Sequence, residues 1–346
     1  MSDYLSLKRY WITLTAICVL LMVLIGGYTR LTNSGLSITE WKPVTGTFPP
    51  FSEENWETEL EKYKASPEYN KINYGISMPE FKRIYLIEYF HRLFGRITGF
   101  VLLVPALFFM YKKQFNSNET KFLITTLALG MLQALVGWIM VASGLIDNPH
   151  VSHYKLALHL SMATILFSYI IWSGMQFYYK KVQINFTNLN HLIVVSAILL
   201  LFTQIIWGAF VAGLDAGMIY NTFPLMNESF FPSETLSYTP KLVNFTENHG
   251  WVQFTHRILG YVVYMYLFSL YFKILKNNKN FRTNGKIIMI LLNLQLILGI
   301  LTVVYQVPLV MALLHQLNAL ILLGSVIVLL HKICDLQHYT LGVVHD

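Results

Sequence analysis

Apolar positions along this chain gather into long uncharged runs, without the alternating or one-sided patterning of a water-soluble fold. Residues 10–29, 122–146, 156–179 and 182–214 contain no Asp, Glu, Lys or Arg. Each run can cross the hydrocarbon of a bilayer, which takes roughly 20 apolar residues. The uncharged stretch 287–330 has room for two such helices. Gln306-Val307-Pro308 predicts the turn between them, because proline removes a backbone donor and resists helix continuation. Two shorter runs, 94–111 and 258–272, begin beside arginine. The pattern predicts an all-α integral membrane protein with eight transmembrane helices.

Composition agrees: the chain is 55% hydrophobic and 12% charged, with a mean hydropathy of +0.49. The net charge of +7 would suit nucleic acid, but its distribution argues against that partner. Lysine and arginine concentrate in one alternate set of loops: Lys8-Arg9, Lys112-Lys113 with Lys121, Lys180-Lys181, the cluster from Lys273 to Lys286, and Lys332. The positive-inside rule makes that face cytoplasmic. On it lie Asp3, Glu119, Asp335 and Asp346, and the remaining acidic residues lie opposite. Both termini are then cytoplasmic, as an even helix count requires. The first apolar run is too long for a secretory signal, and no Arg- and Ser-rich presequence precedes it. Direct insertion into a bacterial plasma (inner) membrane is the expectation. Cys18 and Cys334 have no metal-site spacing, so neither a disulfide nor a CxxC site is expected.

The chain also repeats itself. Glu88-Tyr-Phe-His91-Arg-Leu-Phe-Gly95 aligns with Gln253-Phe-Thr-His256-Arg-Ile-Leu-Gly260, and Leu132-Gln133-Ala-Leu-Val-Gly137 with Leu294-Gln295-Leu-Ile-Leu-Gly299. Each of the latter pair leads, through a short loop, to a helix opening with a histidine, His159 or His315. The first helices align through Ile25-Gly26-Gly27 and Ile206-Trp207-Gly208, and the loops after them share Thr-Phe-Pro. Two four-helix bundles of the same orientation follow, about 8–180 and 188–332, within halves 1–187 and 188–346. This is a parallel repeat. The long loops, 31–89 and 215–251, both fall on the external side, where they can roof a cofactor.

Four histidines then become the candidate chemistry. His91, His159, His256 and His315 sit at the same edge of four apolar helices, two in each half. A histidine buried in a membrane is costly and marks a functional site by default. Two imidazoles on facing helices can grip a haem iron from both sides, so His91 pairs with His159 and His256 with His315. Arg92 and Arg257, each following a histidine, are placed to bind haem propionates. Gly95, Gly99, Gly260, Ala163 and Ala319 leave room for a porphyrin. A lone buried histidine is more often a residue bonded to a nearby carbonyl; repetition at four matched positions favours ligation. His150, His153, His191, His249, His331, His338 and His345 lack such matches and are expected to be solvated or interfacial.

The halves differ three residues before the first histidine of each pair, Glu88 against Gln253. Glu88 shares a helix face with His91 and can stabilise cationic character in an oxidised substrate or move protons; an amide cannot. The plainer reading pairs Glu88 with Arg92 or Arg83. The asymmetry suggests that the first half does chemistry and the second carries a permanent electron-transfer haem.

At these residues a family resemblance appears. The stretch from Gly26-Gly27-Tyr-Thr-Arg30 through Ser34-Gly35-Leu-Ser-Ile-Thr-Glu40-Trp41-Lys-Pro43-Val-Thr-Gly46 resembles the first-loop signature of haem A synthases. It is closest to the branch of Gram-negative bacteria and mitochondria. The match continues through Glu88-xx-His91-Arg92, Tyr154-Lys155-Leu-Ala-Leu-His159, Asn221-Thr-Phe-Pro224-Leu-Met226, Gln253-xx-His256-Arg257 and His315-Gln316. The resemblance implies oxidation of the C8 methyl group of haem O to a formyl group, giving haem A for terminal oxidase assembly. Two hydroxylations would produce a geminal diol that loses water. It implies further that His91 and His159 bind the substrate haem, that Glu88 assists oxidation, and that His256 and His315 hold a resident haem b. One branch carries a cysteine pair in the first external loop; this chain has none between Leu31 and Tyr89, so a thiol relay there is excluded.

Implied partners are haem O, its synthase, oxidase assembly factors, and a membrane quinone or other electron carrier. A homo-oligomer is compatible with the chain, though no helix carries a clear association motif. A non-catalytic di-haem cytochrome b exchanging electrons with quinone also explains four histidines, but it requires neither Glu88 nor the first-loop motif. A haem transporter or chaperone is the third reading.

Overall fold

The computed structural model describes residues 2–42, 45–146, 149–179, 182–233 and 236–342. Pro43, Val44, Lys180, Lys181, His345 and Asp346 lie outside the described residues, as do the side chains of Asp3 and His338. Among the described residues the fold is built of helices, with no β-strand. In order these are α1 (Ser2–Leu31), α2 (Glu53–Lys64), α3 (Pro67–Lys71), α4 (Met78–Tyr111), α5 (Ser117–Gly144), α6 (His153–Gly174), α7 (Leu189–Gly213), α8 (Asn244–Glu247), α9 (His249–Leu270), α10 (Arg282–Val304) and α11 (Leu309–Gly342).

Seven of these, α1, α4, α5, α6, α7, α10 and α11, are long and apolar enough to cross a membrane. The chain is a multi-pass membrane protein. The uncharged stretch 287–330 divides where expected: α10 ends at Val304, and Gln306 and Val307 take left-handed backbone at φ 58° and 57° ahead of Pro308. The run 258–272 starts in α9 and ends in the π-helical turn Tyr271–Leu275 that follows it; the 22 residues of α9 open with His249, Gln253, His256 and Arg257. That polar opening separates α9 from the other seven.

Helix starts follow local chemistry. Asn116 accepts from the Glu119 amide while the Glu119 carboxylate accepts from the Asn116 amide, satisfying two orphan donors of α5. Asn188 and Asn248 cap α7 and α9 in the simpler way, through their side-chain oxygens. The run expected from 182 begins only at Leu189, because the Asn185 to Asn188 turn caps the helix there. Conversely, α4 starts at Met78, 16 residues before the apolar run at 94, because its first turns pack on the loop helices.

The chain divides into two compact units, one of residues 17–163 and one of residues 1–16 with 164–346. In the first unit, α2, α3 and the outer turns of α4 build an aromatic core of Trp56, Tyr63, Phe81, Tyr85 and Tyr89 with Ile38. Trp56 meets Tyr85 edge-on at 5.1 Å. Tyr63 and Phe81 are fully buried, and a buried Phe contributes on the order of 2 kcal/mol. The acidic stretch 53–68 thereby becomes a folded cap rather than a free loop.

In the other unit α9 packs on α7 and α10, and α11 packs on α7 and α10. Val194, Leu201, Leu267, Ile288, Leu323 and Val326 form its centre. Outward positions stay apolar and exposed: Met265 at 62% and Ile290 at 67%. In water such a surface is a liability. Against lipid tails it has no hydrophobic penalty.

Candidate functional site

Each of the four candidate histidines lies against a glycine of a neighbouring helix. A methyl group at Gly137 would lie 2.8 Å from His159 Cε1, and one at Gly299 would lie 2.9 Å from His315 Cε1. At Gly208 it would lie 3.2 Å from His256 Cε1, and at Gly26 3.3 Å from His91 Nε2. Carbon atoms do not pack closer than about 3.5 Å without repulsion. Each glycine is therefore a slot cut for an imidazole ring.

The His256 and His315 rings stand 6.5 Å apart between centroids, with their planes at 80°. Two metal–imidazole bonds of about 2 Å, with two centroid-to-nitrogen distances of about 1.1 Å, total about 6.2 Å. The pair is thus spaced to hold one metal ion between its rings. Among the described residues no group of three or more His, Cys, Asp or Glu could hold a metal. Two axial imidazoles with the remaining donors from a porphyrin fit that donor set. In the other unit His91 and His159 sit in the slots of Gly26 and Gly137.

Glutamines meet three of the rings. Gln133 Nε2 is 3.2 and 3.3 Å from the two ring nitrogens of His159. Gln295 Nε2 is 3.2 and 3.4 Å from those of His315 and donates to the His315 carbonyl at 3.1 Å. Gln204 Nε2 lies 3.4 Å from His256 Nε2 and donates to the His256 carbonyl at 3.0 Å. In the sequence Gln133 and Gln295 stand out only as markers of the repeat. Their shared signal is Gln-x-x-x-Gly, which recurs as Gln204 and Gly208. One helical turn separates amide from slot.

Glu88 and Gln253 bind the long loops with opposite polarity. The Glu88 carboxylate, 2% exposed, accepts from Ser37 Oγ at 2.8 Å and from the Ile38 amide at 2.9 Å. It also accepts from Arg92 Nη2 at 2.6 Å and Nε at 3.1 Å. Gln253 instead donates its amide to the Tyr220 carbonyl at 3.0 Å. Arg92 extends the first clasp to the carbonyls of Ile38 at 3.0 Å and Glu40 at 2.9 Å. Arg257 extends the second to those of Tyr220 and Thr222, both at 2.9 Å, and Leu225 at 3.2 Å. Arg257 Nε is buried and has no hydrogen-bond partner. Along α4 the stripe Glu88, Arg92, Arg96 holds the loop, with Arg96 Nη2 donating to the Lys42 carbonyl at 2.9 Å. The adjacent stripe is His91, Gly95, Gly99.

Two sequence expectations are corrected. The first helices are offset by one residue from the alignment read above: Gly26, not Gly27, meets His91 as Gly208 meets His256. Gly95 likewise meets Met22 as Gly260 meets Gln204. The Gly-Gly pair made both registers available to the eye, and only packing separates them. His153, His191 and His331, expected to be solvated or interfacial, are buried at 8, 1 and 2% exposure. Packing encloses them: His191 Nδ1 accepts from the Asn185 amide at 2.9 Å, and the Trp172 ring stands 5.2 Å from His331. His150 and His249 are exposed. Cys18 and Cys334 are both free and buried.

The first loop also carries charge of its own. Burial pushes the Glu68 carboxyl up to about 7, opposed only in part by the Tyr63 hydroxyl donating at 3.0 Å. Burial raises the Tyr63 hydroxyl as well. Hydrogen bonds from Lys42 and Lys62 hold the Glu40 carboxyl below the usual carboxylate range. Glu40, Lys42, Lys62, Arg92 and Arg96 line a cavity of about 350 Å³ beneath this loop.

The sequence profile of the family described as "Cytochrome oxidase assembly protein" matches residues 9–327. The chain is 46% identical over 317 residues to the "Heme A synthase" of Wolbachia pipientis subsp. Culex pipiens (strain wPip), covering 91% of this chain and 94% of that one. It is 45% identical over 336 residues to the protein of the same name from Wolbachia pipientis wMel, covering 95 and 93%. It is 42% identical over 331 residues to that of Rickettsia africae (strain ESF-5), covering 93 and 96%. With duplicated histidine slots, seven membrane-length helices and matches running nearly end to end, the chain belongs to the haem A synthase family of cytochrome oxidase assembly proteins.

Proposed function

We propose that the chain acts as a haem A synthase, an oxidoreductase converting the C8 methyl group of haem O to a formyl group. The observation that carries this reading is the duplicated site of paired histidines in glycine slots, in a chain of this family. His91 and His159 fix the substrate porphyrin in the N-terminal half, 1–187. Two hydroxylations of its methyl carbon, in which water supplies each oxygen and each pair of electrons leaves to a quinone or other carrier, give a geminal diol, which loses water. His256 and His315 hold a resident haem b in the C-terminal half, 188–346, where it supplies a one-electron redox centre. Each pair falls inside one compact unit, which supports the two-site division.

The protein's own groups have distinct tasks. The four histidines ligate and orient. Glu88 stands one turn before His91 and, as a buried carboxylate, stabilises positive charge as the substrate is oxidised. Arg92 and Arg257 set a positive edge beside each site; the unpartnered Arg257 Nε is a donor for a propionate. The two clasped loops roof the sites and limit water.

The membrane setting follows from the same groups. α9 is the eighth span: it is the counterpart of α4 in the repeat and packs between α7 and α10. The resulting arrangement is two parallel four-helix bundles, with both termini cytoplasmic and the haem sites near the periplasmic side of a bacterial inner membrane. Alternation of the basic loops supports this orientation. Quinone or another carrier exchanges electrons with the protein, and haem O arrives from its synthase. Haem A passes to oxidase assembly factors.

The test is chromatography of extracted haems. The protein is expressed aerobically in a host that makes haem O and lacks its own haem A synthase. Haem A or its hydroxymethyl precursor is the expected product. Folded protein holding haem b alone, with haem O unaltered in the membrane, would replace this reading with an electron-transfer cytochrome.

A further inference from the structure

The two histidine pairs are alike in ligand and slot, yet the groups behind the ligands differ. Groups that hydrogen-bond to a metal ligand, or to the turn that carries it, fix its orientation and tune how tightly it holds the metal. In the C-terminal unit both rings have an amide beside them. Gln295 is itself held: Asn318 Nδ2 donates to its Oε1 at 2.7 Å and to the Leu291 carbonyl at 2.9 Å. Asn318 is 4% exposed, and its bonds lock the glutamine facing His315. Gln204 is anchored through the His256 carbonyl, while its Oε1 and His256 Nδ1 are buried without partners. Both glutamines thus donate to the main-chain carbonyl of the histidine they face and brace the turn that carries it.

The N-terminal unit lacks half of this apparatus. The position that packs on Gly95, as Gln204 packs on Gly260, is Met22. Three residues after His159 stands Met162, where Asn318 stands three after His315. Gln133 still meets the His159 ring, but among the described residues it makes no bond to the His159 carbonyl, and no amide holds its Oε1 as Asn318 holds that of Gln295. Two methionines thus replace two amides. A thioether is a flexible filler with no N–H to donate.

Building on the two-site reading above, we infer that Gln204 and the Asn318–Gln295 pair are positioning residues that make the C-terminal haem permanent. Met22 and Met162 leave the N-terminal site able to exchange its porphyrin. A synthase must release its product, whereas a resident redox centre must stay. Groups behind a metal ligand typically change affinity 10–100-fold, enough to separate the two behaviours.

The experiment is haem transfer from the purified, fully loaded protein to excess apomyoglobin in detergent. Released haem b is distinguished from haem O or haem A by chromatography of the acceptor. Wild type is expected to lose N-terminal haem at least tenfold faster than haem b. The double substitution Met22→Gln with Met162→Asn should slow N-terminal release about tenfold, while Met22→Leu leaves it unchanged. Gln204→Met with Asn318→Met should speed haem b release by a similar factor and shift its low-spin electron paramagnetic resonance signal. Rates within twofold of wild type in both double variants overturn the inference. If the C-terminal pair proves too unstable to purify, the N-terminal pair decides alone. His256→Ala and His315→Ala separate the two levels: haem b retained in either sinks the ligand assignment itself, whereas haem b lost there with unchanged rates in the amide variants sinks only the inference.

Discussion

Substituting Gly299 by alanine adds one methyl group to α10, and the structure gives that methyl a specific neighbour. It would lie 2.9 Å from His315 Cε1 and 3.4 Å from Nδ1. Ordinary carbon contacts are about 3.5–4.0 Å, so the ring must retreat by roughly 0.6–1 Å. A metal–ligand distance tolerates about 0.2 Å. Alanine is otherwise the better helix former by about 1 kcal/mol, so α10 should not be weakened. The two effects have opposite signs and different targets: the fold gains slightly and haem ligation fails. Gly299→Ala should reduce bound haem b at least tenfold at unchanged expression, read as pyridine haemochrome per protein together with low-spin absorbance. Gly208→Ala, whose methyl would lie 3.2 Å from His256, should be milder. Gly130→Ala meets nothing within 4 Å and should be silent. Full haem content in Gly299→Ala would refute the slot argument.

Three further outcomes follow from the clasped loops. Glu88→Gln removes a charge that four donors surround; it should keep haem bound yet cut conversion at least tenfold, and unchanged conversion would remove the carboxylate from the mechanism. Arg257→Lys loses the fork that reaches three carbonyls and should weaken attachment of the second long loop by about 1–3 kcal/mol, seen as faster proteolysis within 215–251; an unchanged cleavage rate contradicts it. Glu68, with its pKa raised to about 7, binds its proton more tightly folded than unfolded. Stability of the α2–α3 cap is therefore full below about pH 4.5 and declines as pH rises towards 7, by a few kcal/mol at most. Hydrogen exchange of α2 and α3 should show that slope, and Glu68→Gln should flatten it.

Much of the fold was legible because membrane helices announce themselves by uninterrupted apolar length. The α10–α11 break at Gln306 to Pro308 was read from a single proline. The histidine pairs were legible because the repeat multiplied a signal too weak alone. Less visible was the register of α1, where adjacent glycines gave two equally good alignments and only the contacts of Gly26 and Gly95 distinguish them. Glu88 and Gln253 looked like a catalytic asymmetry along one helix face. The structure adds a reason of loop chemistry, since one site must accept an amide proton and the other must donate to a carbonyl. Burial of His153, His191 and His331 could not be read from the chain, because it depends on which side of each helix faces its neighbours.

The arginine clasps also determine where the protein can tolerate change. Arg92 and Arg257 grip their loops through main-chain oxygens of Ile38, Glu40, Tyr220, Thr222 and Leu225. Every amino acid offers the same carbonyl, so substitution at Glu40 or Leu225 leaves the grip intact as long as the backbone keeps its course. The helix side has no such freedom, since only guanidinium supplies several fixed donors at once. Sequence drift can therefore reshape the outer surface of each clasped loop while the attachment stays fixed. The demand for one particular residue falls on the helical turn beside each histidine.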